Sequence, residues 1–446
     1  MKKEINRNFL NMHKLGLVRP FLKFSRSLRS KILESVGYNT NLIPGDLIYI
    51  DLITDSLMHF ILPPNSSSNK SRIGASNIDL SRTFEKYFGY KYVLPVAQGR
   101  MAEIILSKIT VKNAMVVPSN MLFITTRLHQ ELNGATVLEI PVKESNDLNS
   151  NFPFKGNMDT EELKRLISEH GKDWIPYIYV EACVNASGGH PVSMENIKDV
   201  SRIARKHGIP VILDACRILE NAYLIKEREK GFSNKSVAEI VKEFCSYTDG
   251  CTMSATKDFF VDTGGFIATN NKDIYYDAQD VIMAFGSGLS VRGKALLNDV
   301  LEKTFRNEKI IRSRVSNVRY LWNKLNESGL PLVKPSGGHA VFLDAREISK
   351  ILPEEQNPEK SFLAHLYEAS GVRMGEHNLT PCQKKQGLKI LRLAVPPNMY
   401  SRSHMDYVAK SVVRAWKNMR KIRGLKKVHQ PLSLSGEFFA EYKPIA

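Results

Sequence analysis

Between Tyr90 and Ser254 the chain repeats one pattern: a short apolar run, a turn of small residues, then a stretch of helical period. The apolar runs are "YKYVLPV", "NAMVVPS", "IPYIYVEAC" and "IPVILDAC", and the helical stretches include "MAEIILSKI", "MENIKDVSRIARKHG" and "AEIVKEFCSY". Strands that read as unbroken apolar runs are buried on both faces, and helical crossovers between them impose a mainly parallel sheet. The expected fold is a doubly wound α/β domain with helices on both sides of the sheet. From about residue 310 the pattern changes to a long basic helix, "NEKIIRSRVSNVRYLWNKLNESG", then "HAVFLDA", another helix and "KILRLAVPP", which reads as a smaller α+β domain.

Charge narrows the partners less than its total suggests. The formal net charge is +17, and residues 1–31 alone hold nine Lys/Arg against one acid. A second basic run, "RAWKNMRKIRGLKK" at 414–427, keeps a helical period with Trp416 and Met419 inward, so its cations read as a solvated face. No nucleic-acid-binding motif accompanies the charge, and no partner of that class is expected. Five cysteines without a CxxC pair read as reduced thiols, consistent with a cytoplasmic protein and no metal framework. No apolar segment is long enough to span a membrane. The basic N-terminus is either an organellar transit peptide or an arm that docks on a neighbouring subunit.

In open α/β sheets ligands gather at the carboxyl ends of the strands. There "VAQGRMAEI" places a Gln-Gly-Arg turn at a helix start, where free backbone N–H groups and a guanidinium form a seat for phosphate. "VILDACRI" ends a strand in Asp214, either an N-cap for the next helix or a partner for a protonated ring nitrogen. "MSATKDFFVDTGGF" sets Lys257 between small residues and a buried-looking run, where an amine loses its proton readily and becomes a nucleophile or base. A phosphate anchor, a ring-pairing acid and an imine-forming lysine are the three parts that pyridoxal phosphate requires.

The segments "IDLITDS", "QGR", "MLFITTRLHQELNGA", "VNASGGHPVSM", "DACRILENAYLIKEREKGF", "SYTDGCTMSATKD", "GGHAVFLDA" and "HMDYVA" make the chain specific. It resembles the aromatic amino-acid β-lyases, the family of tryptophanase and tyrosine phenol-lyase, collinearly from about Gly37 to Phe438. The resemblance implies a fold-type I pyridoxal phosphate enzyme with an α/β large domain and a smaller α+β domain, assembled as a homo-oligomer, dimer or tetramer. The organisation expected is a basic arm at 1–36, a cofactor-binding domain at 58–310, and a small domain from 37–57 with 311–446. Position by position, Lys257 matches the Schiff-base lysine that also moves the Cα proton, and Asp214 the partner of the ring nitrogen. Arg217 and Asn185 would face the phenolic oxygen, Gln98, Gly99, Arg100 and Ser254 the phosphate, and Phe123 the ring face. Arg392 would clamp the substrate carboxylate with Thr54, Ser56 and Asn185.

The departures concern the leaving group. The family's general-acid tyrosine is absent, with no tyrosine between Ile50 and Tyr87, and "NKSRIG" brings Lys70 and Arg72 to a shortened loop. The family binds a potassium-like monovalent cation. Here Lys70 is expected to pair with Asp262 in its place, unless the shortened loop simply aligns differently. Ile124 stands where both parent enzymes carry a polar residue after Phe123, and His377 stands in place of the phenol-reading arginine. Arg72 and His377, with Ile124, are the expected specificity residues, and the pocket looks unsuited to tyrosine or tryptophan. The reading is therefore β-elimination from a non-standard amino acid, by Cα proton abstraction to a quinonoid and loss of the side-chain leaving group. The alternatives are another reaction on the same scaffold (transamination, racemisation, β-replacement or an oxidative step) and a non-catalytic role.

Overall fold

The computed structural model describes residues 23–54, 77–397, 399–432 and 436–445. The described residues form two compact units, one from residues 23–54 together with those from 316 onward, the other from residues 77–315. Strand β1 (Ile50–Asp51) belongs to the first. The chain then builds the larger unit through β2 (Tyr92–Val96), β3 (Val116–Ser119), β4 (Thr136–Glu139), β5 (Ile178–Glu181), β6 (Val211–Asp214), β7 (Gly250–Ser254) and β8 (Gly265–Thr269). It returns to the smaller unit for β9 (Ala340–Asp344), β10 (Val372–Arg373), β11 (Gly375–Glu376), β12 (Ile390–Ala394), β13 (Leu425–His429) and β14 (Glu441–Pro444).

In the larger unit a seven-stranded sheet runs in the order β2-β8-β7-β6-β5-β3-β4. The pairs from β7 through β4 are parallel, while β8 is antiparallel to both β2 and β7. Every residue of β3, β5, β6 and β8 is buried, which is why these strands read as apolar runs and not as alternations. The strand order reverses between β3 and β5, so the crevice at their carboxyl ends is the topological switch point. Helices cover both faces with local signals intact. Ser193 caps Met194–His207, which stops at Gly208 in the left-handed region (φ 66°), and a Ser236–Glu239 capping box starts Val237–Cys245. An aromatic cluster anchors β8 to its helices. Phe84 meets Phe266 edge-on at 4.3 Å and Tyr87 stacks on Phe305 at 4.3 Å, contacts whose truncation to alanine typically costs about 3–5 kcal/mol.

The smaller unit holds the sheet β11-β12-β9, the parallel pair β1-β10 and the hairpin β13-β14. Residues 23–36 do not stand apart as an arm. Ser25 caps the helix Arg26–Ser35, whose Ile32 and Leu33 pack with Ala364 and Tyr367 of the helix Pro358–Ser370. The basic run at 414–427 is not one helix either. The helix Arg402–Lys417 ends before Asn418, and beyond Gly424 the chain alternates as β13, with Leu425 buried and Lys426 exposed. The boundary between units falls after Val315, inside the helix Lys309–Glu327, slightly beyond the expected 310. Among the described residues no helix is long and apolar enough to cross a membrane.

Candidate active site

The Gln-Gly-Arg turn is built by close backbone approach. Gln98 leaves β2 extended, bridges Gly264 and starts the helix Gly99–Thr110. A Cβ on Gly99 would stand 2.4 Å from Cβ of Ser254, and one on Gly265 would stand 2.7 Å from the Gly99 nitrogen. Only glycine admits this contact, which brings the first turn of a helix against the end of β7. The carbonyl of Ala97 accepts a hydrogen bond from Thr263 Oγ1 at 2.7 Å, tying the same turn to the loop before β8. The Ser254 hydroxyl shares a hydrogen bond with Thr256 at 2.9 Å, and its N–H donates to Cys216 Sγ at 3.1 Å. Gln98 and Arg100 keep their side chains exposed at this edge.

Asp214 ends β6 almost fully buried (4% exposed), with Oδ1 accepting the N–H of Cys216 at 2.9 Å. It is not the N-cap of the next helix. Arg217 occupies that position with no side-chain cap, and Asp258 Oδ2 accepts the first-turn N–H of Leu219 at 2.7 Å instead. Asp258 is gripped in turn by the fully buried Arg314 at 2.5 Å. Burial still outweighs that guanidinium and pushes the Asp258 carboxyl up to about 6. The residue beside Lys257 thus pins the single turn Ala255–Asp258. Lys257 is half-buried, less shielded than its flanks suggest, and its ammonium lies 4.8 Å from the Phe123 ring centroid. Phe123 immediately precedes the helix Ile124–Leu132, where Ile124 is 50% exposed.

Arg217 is buried, with Nη1 3.8 Å from Glu220 Oε2. Asn185 is also buried, on a loop that Asn221 organises by accepting the N–H groups of Cys183 at 2.9 Å and Val192 at 2.8 Å. Two acids of this region escaped the sequence reading. Glu103 accepts hydrogen bonds from Thr125 at 2.8 Å and Thr126 at 3.0 Å, and burial, with the Asp214 charge second, pushes it up to about 7. Glu181 ends β5 beside Asp214, and the same two causes push it up to about 8. A signal for Glu181 was present, since "YVEAC" repeats the strand-acid-Ala-Cys ending of "ILDAC".

In the smaller unit Arg392 lies on β12 opposite Gly375 and Phe342, and its Nη2 donates to the Ile53 carbonyl at 2.9 Å, next to Thr54. The Ile53 N–H donates to Asp51, whose other oxygen pairs with Arg373 at 2.6 Å, so a buried ion pair supports this segment. His377 is buried, its ring edge-on to Phe342 at 5.3 Å. Ser56, Lys70 and Arg72 lie outside the described residues. Asp262 is exposed and accepts the N–H of Thr263 at 2.9 Å. A cleft of about 940 Å³ in this unit is lined by Arg26, His365, Glu368 and Arg414 and contains none of the expected site residues. Its Arg29 spends its guanidinium on the carbonyls of Phe24, Glu368 and Ala369.

Residues 74–411 match the family described as β-eliminating lyase. The chain is 38% identical to the tyrosine phenol-lyase of Nostoc punctiforme over 95% of both proteins. It is 39% identical to that of Symbiobacterium thermophilum over 99% of this chain and 100% of that one. Solved structures share the fold at low identity. A serine palmitoyltransferase from Sphingomonas wittichii aligns with a TM-score of 0.61 at 14% identity, over 89% of this chain and 97% of that one. A threonine aldolase from Leishmania major aligns with a TM-score of 0.57 at 14% identity, over 83% of this chain and 99% of that one. With a parallel sheet of this kind and a lysine, a strand-end acid and a glycine cradle at its carboxyl edge, the chain belongs to the β-eliminating lyase family of fold-type I, pyridoxal phosphate-dependent enzymes.

Proposed function

We propose that the chain eliminates the β-substituent of an amino acid other than tyrosine or tryptophan, with Lys257 as the catalytic amine. The observation that carries this reading is the meeting, at one sheet edge, of Lys257, the buried Asp214 and the Gly99–Ser254 contact. The residues fit pyridoxal phosphate, because glycine at position 99 lets a helix N-terminus approach Ser254 more closely than any Cβ would allow, bringing free backbone N–H groups and a hydroxyl to one point for a phosphate dianion, and Asp214 offers a buried anion to a ring cation. When bound, pyridoxal phosphate supplies an aldehyde that captures amines and a ring that accepts the electron pair left at Cα.

Gln98, Gly99, Arg100 and Ser254 would hold the phosphate, Phe123 the ring face, Asp214 the ring nitrogen, and Arg217 with Asn185 the phenolic oxygen. Lys257 takes the proton from Cα of the substrate, and its tether on the turn pinned by Asp258 keeps the amine on one side of the reacting carbon. Arg392 would fork onto the substrate carboxylate, a geometry that lysine cannot reproduce, with Thr54, Ser56 and Asn185 as the further residues expected to bind substrate.

The substrate is inferred from the residues that the family resemblance would place near the leaving group. Ile124 replaces a polar contact, His377 replaces a guanidinium, and no tyrosine lies in the segment that carries Arg72. General acids contribute about 10²–10⁴ in rate, and arginine is a poor one because it holds its proton too tightly. Elimination here suits a group that departs as a stable anion, such as a weakly basic thiolate, with Arg72 and His377 attracting an anionic side chain. A Lys70–Asp262 pair in place of a bound cation belongs to the same proposal.

The two units would be the cofactor-binding and small domains. Assembly into a homo-oligomer is supported by the helix Lys272–Phe285, which buries only Ala278 and leaves Tyr276, Met283 and Phe285 exposed.

Incubating the purified protein with tyrosine, tryptophan and amino acids bearing thioether, carboxylate, phosphate or sulfonate side chains, and assaying pyruvate and ammonia, tests the reading. We expect product from an anionic or thioether substrate with kcat/KM at least tenfold above that for tyrosine. Tyrosine as the best substrate would overturn the specificity, and no pyruvate from any compound would overturn elimination.

A further inference from the structure

The neighbouring strands β5 and β6 end in Glu181-Ala-Cys and Asp214-Ala-Cys, and the two acids are register partners in a parallel pair. Register partners on adjacent strands project to the same face, so both carboxyls enter one buried space at the switch point of the sheet. Glu181 is 5% exposed and Asp214 is 4% exposed. Glu181 Oε1 accepts the N–H of Asn185 at 2.9 Å, while Oε2 is shielded from solvent and has no hydrogen-bond partner among the described residues. The backbone of Glu181 is held on its β3 side by Asn120, which accepts its N–H at 3.0 Å and donates to its carbonyl at 3.0 Å. The acid therefore cannot leave the site by slippage of the strand.

Charged groups act on Glu181 from three elements: Asp214 at the end of β6, Arg217 in the turn after it and Lys257 in the turn after β7. From β3 it meets the neutral Asn120. Burial and the Asp214 carboxylate outweigh the two cations and push Glu181 up to about 8. A buried acid that keeps its proton offers an O–H donor on the oxygen that has no partner.

We propose that Glu181 and Asp214 form one acid pair at the ring-nitrogen end of the cofactor site, with Glu181 holding a proton beside Asp214. This rests on Asp214 being the partner of the ring nitrogen. A Glu181 that keeps its proton adds no second negative charge beside the ring cation, and it is a positioning residue acting through Asp214. Two full charges in that space would repel, and a lone Asp214 would leave the Glu181 side without a donor.

Infrared titration of the full-length protein tests the pair without reference to turnover. The carbonyl band of protonated carboxyls is followed from pH 5 to 10 in wild type, Glu181→Gln and Asp214→Asn. We expect one carboxyl component that titrates near pH 8, is absent in Glu181→Gln, and titrates at least one unit lower in Asp214→Asn, where the like charge is gone. An unchanged band in Glu181→Gln, or no shift in Asp214→Asn, overturns the pair. The Asp214→Asn arm stands even if the glutamine variant fails to fold. Added pyridoxal phosphate is read separately by absorbance near about 420 nm, where its imine with lysine absorbs. Failure to take up cofactor while the acids remain coupled would overturn the cofactor reading and leave the coupling intact.

Discussion

The Lys257 ammonium stands 4.8 Å from the centroid of the Phe123 ring, although the lysine follows β7 and the phenylalanine follows β3, on opposite sides of the strand-order reversal. A cation over a ring face gains about 0.5–2 kcal/mol depending on its hydration. In the proposed site this contact would hold the amine over the face of the cofactor ring. Phe123→Ala is expected to weaken pyridoxal phosphate binding about tenfold, read as the dissociation constant in an absorbance titration. Unchanged affinity would remove Phe123 from the ring contact.

Gly99→Ala places a Cβ 2.4 Å from Cβ of Ser254 and 2.9 Å from its nitrogen, so the backbone itself must move. Overpacking of this kind costs about 1–3 kcal/mol. Urea unfolding should show that loss, with cofactor affinity falling further than stability. The neighbouring Gly89, with nothing within 4 Å of its added Cβ, supplies a steric contrast at a left-handed position (φ 83°).

Arg314 and Asp258 form a fully buried pair beneath the Lys257 turn. Removing one partner of such a pair costs about 3–5 kcal/mol, because the other charge is stranded. Asp258 already titrates at about 6 with its guanidinium present, and without it the carboxyl holds its proton to higher pH. Arg314→Leu should therefore destabilise the protein more at pH 8 than at pH 5. An equal loss at both would mean the cost is packing alone.

Glu103 and Glu181 are raised from 4.5 to about 7 and about 8, each by burial first and the Asp214 charge second. Between the unfolded value and these folded values the native protein holds protons that the unfolded chain releases. Their contribution is complete below about pH 4.5 and is lost as pH rises towards 7 and 8. For Glu103 the slope amounts to about 2–3 kcal/mol between pH 5 and 8. Glu103→Gln should shrink the difference in melting temperature between those conditions. A difference unchanged from wild type would show that Glu103 does not carry it.

The parallel sheet was legible because strands covered on both faces are written as apolar runs, and the lysine, acid and glycine turn sit where such sheets place ligands. Glu103 was illegible because an acid in "MAEII" reads as solvated until the helix Ile124–Leu132 brings Thr125 and Thr126 against it. Residues 26–35 look like charged arm, since only Ile32 and Leu33 turn inward with the stem of Arg29. The run at 414–427 was misread for a related reason. Its basic residues fit a solvated helix face and a strand edge equally, and the pairing of Leu425–His429 with Glu441–Pro444 decides between them.

The central claim is that the Lys257 amine joins the cofactor aldehyde. Reducing the reconstituted protein with borohydride and mapping the peptides by mass spectrometry should place one phosphopyridoxyl group on Lys257, with none in Lys257→Ala. A colourless protein after reconstitution, or a label on any other lysine, would contradict the account.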